Sequence, residues 1–86
     1  MAGNGLYIKS FDLSGTWQAL ASSSMVMNAT LVAAAGNAAN ASVRVDGGTA
    51  AAWPAGATMR LEGVDLSRIQ VSGTTGDKFT VAGNTR

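Results

Sequence analysis

The fold of this chain is decided by its longest alternating stretch, Met25-Val26-Met27-Asn28-Ala29-Thr30-Leu31-Val32. Successive side chains of a β-strand point to opposite faces, so Met27, Ala29 and Leu31 share one face and Asn28 and Thr30 share the other. A period of two with one apolar face is typical of antiparallel sheets that cover a core on one side. The stretch therefore predicts a long β-strand.

The same alternation recurs along the rest of the chain. Four later segments each place one polar residue between two larger apolar ones, namely Val43-Arg44-Val45, Met59-Arg60-Leu61, Ile69-Gln70-Val71 and Phe79-Thr80-Val81. We expect the two apolar residues of each triplet to face the core. With the apolar segments near the N-terminus, the predicted strands cover residues 6–11, 17–20, 25–32, 42–46, 58–62, 68–72 and 78–81.

Turn residues separate these predicted strands. Gly47-Gly48, Gly73-Thr74-Thr75-Gly76 and Pro54-Ala55-Gly56 supply the backbone conformations that tight turns need. The run from Ala33 to Ala41 is predicted to be a loop, because glycine and asparagine interrupt it. The sequence thus predicts an all-β fold, a small antiparallel β-sandwich or barrel of about seven to eight short strands. We expect residues 1–5 to form an N-terminal arm and residues 6–86 to form one sandwich domain.

Composition excludes several classes of function. The 86 residues carry six basic and five acidic side chains, for a net charge of +1, and contain neither histidine nor cysteine. A chain without a basic stripe is not expected to bind nucleic acid, and no segment is apolar enough to predict insertion into a membrane. Without His or Cys, the most common general base and the thiol ligands of metals are missing. We therefore expect no bound metal or cofactor.

The acidic residues sit where turns are predicted. Asp46 and Asp77 adjoin glycine turns, and Asp65 precedes Leu66-Ser67. An aspartate at such a place commonly accepts hydrogen bonds from nearby backbone N–H groups. Turn and capping roles are therefore expected for them, and the sequence predicts no catalytic residue and no enzymatic activity.

Two tryptophans are the most conspicuous candidates for a partner contact. Trp53 lies between Ala50-Ala51-Ala52 and the Pro54 turn, whereas Trp17 alternates with Ala19 in an apolar segment. A bulky ring among small loop residues suits insertion into a partner's pocket. We therefore predict that Trp53, with Pro54, anchors an interface and that Trp17 packs mainly within the subunit.

The N-terminal arm is the second predicted contact. It comprises Met1, Ala2, Gly3, Asn4 and Gly5, and holds no large apolar residue beyond Met1. We expect a neighbouring molecule to order it.

The second half of the chain contains four motifs in a fixed order: Val43-Arg44-Val45-Asp46-Gly47-Gly48, Trp53-Pro54-Ala55-Gly56, Val64-Asp65-Leu66-Ser67-Arg68-Ile69 and Gly73-Thr74-Thr75-Gly76-Asp77-Lys78. In this order, residues 42–83 resemble small β-sandwich structural proteins of tailed bacteriophages. The tyrosine-containing strand that usually follows the Asp-Leu-Ser element in these proteins is Ile69-Gln70-Val71 here. The resemblance covers half of the chain and carries over no catalytic residue.

The resemblance implies a virion component, such as a capsid decoration (cement) protein or a head or tail attachment subunit. Its partner would be the major capsid protein or another virion protein, and its location the virion, with the capsid surface favoured, after synthesis in the host bacterial cytoplasm. A small core without disulfides favours assembly, so we expect a homo-oligomer, with a trimer favoured. The alternatives are a tail, fibre or baseplate adaptor and a carbohydrate-binding β-sandwich.

Overall fold

Two antiparallel sheets make up the fold in the computed structural model, which describes residues 6–84. The elements in chain order are β1 (Leu6–Asp12), β2 (Gln18–Ala19), β3 (Val26–Ala33), β4 (Ala41–Val45), β5 (Ala51–Trp53), β6 (Thr58–Asp65), a short 3-10 helix η1 (Leu66–Arg68), β7 (Ile69–Ser72) and β8 (Lys78–Asn84). The predicted fold class is confirmed, with eight strands in the described part of the chain. Residues 1–5, where the arm was predicted, lie outside the described residues, as do residues 85 and 86.

The strand order identifies the topology as a jelly roll. Sheet A has the order β1-β8-β3-β6 and sheet B the order β2-β7-β4-β5. The chain changes sheet at every connection except the β4–β5 hairpin. Its first and last strands, β1 and β8, pair with each other in sheet A. Two four-stranded sheets connected in this way form the double-sheet jelly roll.

The core lies between the two sheets and follows the alternation in the sequence. Met27, Ala29, Leu31 and Ala33 of β3 are buried, whereas the residues between them are half-buried on the outer face. Other fully buried large side chains come from every layer of the sandwich: Leu13, Leu20, Leu66, Val71, Phe79 and Val81. Burial of these apolar groups is the main source of folding free energy.

The sandwich is open on the side of β6. Val45 and Met59 were predicted to face the core, but they are 55% and 51% exposed. They lie on the inward side of their strands, but β6 is an edge strand of sheet A and Val45 is the last residue of β4. A pocket of about 460 Å³ opens here, lined by Val45, Leu61, Gly63, Val64, Asp65, Arg68 and Ile69. The prediction of their direction was sound, and the prediction of their burial was wrong.

The alanine-rich segment between β3 and β4 is a loop, as predicted. Asn37 connects this loop to β8 by two hydrogen bonds. Its Nδ2 donates to the Lys78 carbonyl at 2.9 Å, and its Oδ1 accepts from the Lys78 N–H at 2.8 Å. The carboxylate of Asp77 accepts the N–H groups of Ala38 and Ala39 at 2.9 and 3.2 Å. These side-chain hydrogen bonds hold the loop against β8 together with the backbone bond from the Ala34 N–H to the Lys78 carbonyl at 3.2 Å.

Candidate interaction surface

The outer face of sheet A carries a central patch without charges. Cross-strand partners share a face of a sheet, and the register places Ile8 beside Ala82 and Ala82 beside Thr30. The next row brings Ser10, Thr80 and Val32 together in the same way, with the Ser10 and Thr80 hydroxyl oxygens 3.2 Å apart. We call this surface the uncharged patch, and it consists of Ile8, Ser10, Thr30, Val32, Thr80 and Ala82.

Charges surround the uncharged patch and are paired with one another. Asp12 and Lys78 are opposite each other at one end of β1 and β8 and form an ion pair. Along β6, Arg60 lies 3.9 Å from Glu62 and donates to the Thr30 hydroxyl at 3.4 Å. An uncharged centre with a charged perimeter is the arrangement typical of protein–protein interfaces.

Large apolar side chains are exposed at the end of sheet A where β1 begins. Leu6 and Ile8 are 70% and 65% exposed, and they lie on the outer face together with Val26, which is 51% exposed. Burial of such side chains against a partner would release about 1.5–3 kcal/mol each if it were complete. The sequence alternation identified the two faces of β1 without indicating which face is exposed.

Trp53 is not available as the anchor that the sequence predicted. It is 9% exposed and packs edge-on against Phe79, with ring centroids 5.9 Å apart and planes at 67°. Its indole Nε1 donates to the Ala57 carbonyl at 3.1 Å. Trp53 pairs with buried Ala41 across β4 and β5, so its ring points into the core, and the prediction of an exposed anchor at Trp53 was wrong. Pro54 beside it is exposed.

Trp17 lies on the outer face of sheet B, because it shares the face of Ala19, which pairs with Gln70. It is half-buried, and the Arg44 guanidinium stacks over its ring 4.1 Å from the centroid. Arg44 projects from the outer face of sheet B, where its Nε donates to the Gln70 Oε1 at 2.6 Å. Trp17 thus packs against a side chain of its own subunit, but on an outer surface and not in the core. Met1 to Gly5, the other predicted contact residues, lie outside the described residues.

Asp65 has the turn role that the sequence predicted. Its carboxylate accepts hydrogen bonds from the Met25 N–H at 3.0 Å, from the Ser67 hydroxyl and N–H at 2.7 and 3.0 Å, and from the Ser24 hydroxyl at 2.8 Å. These bonds, that from Met25 above all, hold the pKa of Asp65 well below its usual range. The carboxylate caps η1 and ties it to the start of β3.

The remaining carboxylates of the described chain are also engaged locally. The hydrogen bond from Arg68 lowers the pKa of Asp46, a residue with a positive φ of 54° in the β4–β5 turn. Among residues 6–84, no group of three acidic side chains could hold a metal ion. The same residues contain no helix long and apolar enough to cross a membrane.

Comparison with known proteins supports the fold. No family model matches the chain, and no curated protein sequence matches it. Among solved structures, the chain is similar to an RmlC-like cupin protein from Desulfovibrio desulfuricans, with a TM-score of 0.66 and 19% identity over 98% of this chain and 76% of that chain. This likeness shows a shared β fold, in agreement with the jelly-roll topology.

Proposed function

We propose that this chain is a non-enzymatic virion structural protein that decorates or cements a bacteriophage capsid lattice through protein–protein contacts. Its partner is the major capsid protein or another virion protein, and it acts as a homo-oligomer on the capsid surface. The observation that carries this proposal is the uncharged patch on the outer face of sheet A. The resemblance of residues 42–83 to phage structural proteins supplies the class of partner.

The uncharged patch suits a protein partner for two physical reasons. Covering it removes no charge from water, so the desolvation cost that opposes the burial of ionic groups is absent there. Its serine, threonine and alanine side chains also lose little conformational entropy when a partner orders them. Leu6 and Ile8 at its border supply apolar area for burial.

The turns that carry the resemblance have defined structures in this chain. Gly56 and Gly76 adopt φ values of 80° and 99°, which favour glycine. Asp65 caps the Leu66–Arg68 helix between β6 and β7. Asp77 binds the loop that precedes β4. Because these aspartates hold the backbone, the proposal gives them structural roles and assigns no catalytic residue.

Binding to capsids tests the proposal. Ala82 lies in the centre of the uncharged patch, so Ala82→Lys places a charge where the partner is expected to sit. Ala52→Lys makes the same substitution on the outer face of sheet B, since Ala52 pairs with outward-facing Ser42. In co-sedimentation with capsids that lack the protein, Ala82→Lys should weaken binding at least tenfold and Ala52→Lys should leave it unchanged. Equal binding by both variants would contradict the proposal.

One observation favours a second function, the recognition of a carbohydrate. Trp17, Arg44 and Gln70 together present an aromatic ring and planar polar groups on the outer face of sheet B. Aromatic rings of this kind offer apolar area with a polar edge. Titration of the protein with soluble sugars, followed by tryptophan fluorescence, separates the two functions. A saturable response that Trp17→Ala abolishes would favour sugar binding over capsid decoration.

A further inference from the structure

The four edge strands of the two sheets differ in how well they are protected against pairing with another chain. In sheet B, the edges β2 and β5 are two and three residues long. In sheet A, the register of β6 with β3 shifts at Met27/Ala29, Gly63 has a φ of 65°, and Arg60 and Glu62 project from the strand. Short length, bulges and charges all protect an edge from further pairing.

The remaining edge, β1, has neither the short length nor the bulge of the other edges, and its two charged residues are Lys9, on the inner face, and Asp12, at the end of the strand. It is seven residues long and pairs with β8 in one unbroken register from Leu6↔Asn84 to Asp12↔Lys78. It contains no proline, and on its outer face it carries Leu6 and Ile8, the two most exposed large apolar side chains of the described chain. A long, regular and apolar edge is a site at which another strand can add to the sheet.

The backbone of β1 shows which groups are open to such pairing. The Leu13 N–H donates to the Asp77 carbonyl at 2.9 Å and continues the β1–β8 ladder. In an antiparallel ladder the hydrogen-bonded positions alternate, so the odd-numbered residues of β1 bond to β8. The N–H and C=O groups of Leu6, Ile8 and Ser10 therefore point away from the sheet, and no described residue pairs with them.

We infer that β1 of a second copy of this chain occupies this edge, antiparallel and related by a two-fold axis, with Ile8 opposite Ile8 of the second copy. Leu6 then lies opposite Ser10 of the other copy, and all the open backbone groups of residues 6–10 are paired. The two A sheets join into one sheet of eight strands. The inference does not depend on the proposed capsid function.

Charge and polarity select this register over its neighbours. Other registers must also pair even-numbered residues with even-numbered residues, because only these have open backbone N–H and C=O groups. Sliding the second strand to the next such register moves the two-fold axis by one residue along β1. A shift toward the C-terminus places Lys9 opposite Lys9, and like charges directly opposite are destabilising. A further shift places exposed Ile8 opposite Asp12. A shift toward the N-terminus pairs only residues 6–8 of the described strand.

The size of the edge predicts a reversible dimer. The five residues paired in this register, 6–10, span about 17 Å at ~3.4 Å each, and the sandwich is 17 Å thick along its shortest axis. The contact thus covers about 290 Å² per copy and roughly 580 Å² in total, below the ~1,200 Å² at which stable interfaces begin. Dimers should therefore form in a concentration-dependent manner, and the pair is a two-fold dimer instead of the trimer expected from the sequence.

Single cysteines provide a direct test, because the natural chain has none. In the inferred register the Cα atoms of two Ile8 residues lie ~5.5 Å apart, within the range of roughly 4.4–6.8 Å that a disulfide spans. Two Ser10 residues lie about 14 Å apart along the strands. Under mild oxidation, Ile8→Cys should form covalent dimers at least tenfold faster than Ser10→Cys. Equal rates for the two variants would overturn the inferred register.

Sedimentation velocity from micromolar to millimolar concentration tests the dimer itself. The natural chain should pass from monomer to dimer. Ile8→Lys should weaken that association at least tenfold, because it places two ammonium groups opposite each other. Val26→Lys is the matched control, since it changes a similarly exposed apolar residue of sheet A away from the β1 edge, and it should have no effect. A chain that stays monomeric, forms trimers, or dimerises despite Ile8→Lys would refute the inference.

Discussion

Replacing Trp53 by alanine should destabilise the subunit strongly, because the indole is a core side chain. The ring is 9% exposed, packs edge-on against Phe79 and donates a hydrogen bond to the Ala57 carbonyl. Removal of a buried Trp typically costs about 3–5 kcal/mol through lost burial and the cavity left behind. The aromatic pair accounts for about 0.5–1.5 kcal/mol of that, and the hydrogen bond for a similar amount.

This loss is large for a chain of 86 residues. At about 0.05–0.15 kcal/mol per residue, the whole free energy of unfolding is roughly 4–13 kcal/mol. A loss of 3 kcal/mol should lower the melting temperature by at least about 12 °C, since each kcal/mol shifts a domain of this size by ~4–8 °C. Urea unfolding followed by circular dichroism should show a lower midpoint with an unchanged slope.

Two variants calibrate the Trp53 measurement. Trp53→Phe keeps a ring against Phe79 but loses the hydrogen bond to Ala57, so its cost should lie well below that of Trp53→Ala. Trp17→Ala removes a half-buried ring stacked with Arg44, a contact worth about 0.5–1 kcal/mol at an exposed site. If Trp17→Ala destabilises the subunit more than Trp53→Ala does, the assignment of the two rings to surface and core is refuted.

Two further predictions concern the aspartates that hold the turns. The pKa of Asp65 is lower in the folded chain than its usual value of 3.8, so its stabilising contribution is present above about pH 4 and is lost as the pH falls further. In urea melts between pH 2 and 7, Asp65→Asn should therefore lower the free energy of unfolding at pH 7 and make it depend less on pH. An unchanged dependence on pH would contradict the assignment. Asp77 is 6% exposed and accepts hydrogen bonds from the N–H groups of Ala38 and Ala39. Asp77→Ala should therefore lower the free energy of unfolding by about 1–3 kcal/mol and speed hydrogen exchange at those two amides. Unchanged exchange there would show that other contacts hold the loop.

Alternation in the sequence predicted the strands whose apolar face meets a facing sheet. Val43, Val71 and Val81 are buried as expected, because a period of two reports directly which side of a strand is apolar. The same signal does not report where a sheet ends. Val45 and Met59 have the correct direction but lie at the open edge, so tertiary structure determined their exposure.

Two features of the structure were not predicted by a local pattern, namely strand β5 and the contact between Trp17 and Arg44. The β5 strand consists of two alanines and Trp53 and exists because it pairs with β4, so a window of small residues did not distinguish it from a loop. Trp17 shares its face with Ala19 rather than with Leu20, and that alternation was visible in the sequence. What the sequence could not show is that Arg44, 27 positions later, would stack on the ring. Contacts between distant segments thus determined the surroundings of both tryptophans.

The uncharged patch was likewise only partly visible in the sequence. Thr30 and Thr80 lie between the apolar members of predicted strands, whereas Ala82 lies beyond the predicted strand 78–81. The order β1-β8-β3 that brings these residues together is set by the jelly-roll connections. No local pattern specifies that the first and last strands are neighbours. The patch therefore follows from topology together with composition.

The most direct measurement of the proposed function is cryo-electron microscopy of phage particles from the source that encodes this chain. The proposal predicts that density for the eight-stranded sandwich lies on the outside of the capsid, with the uncharged patch of sheet A against the major capsid protein. Particles without this density, or a subunit bound with Ala82 and Thr80 facing solvent, would contradict it.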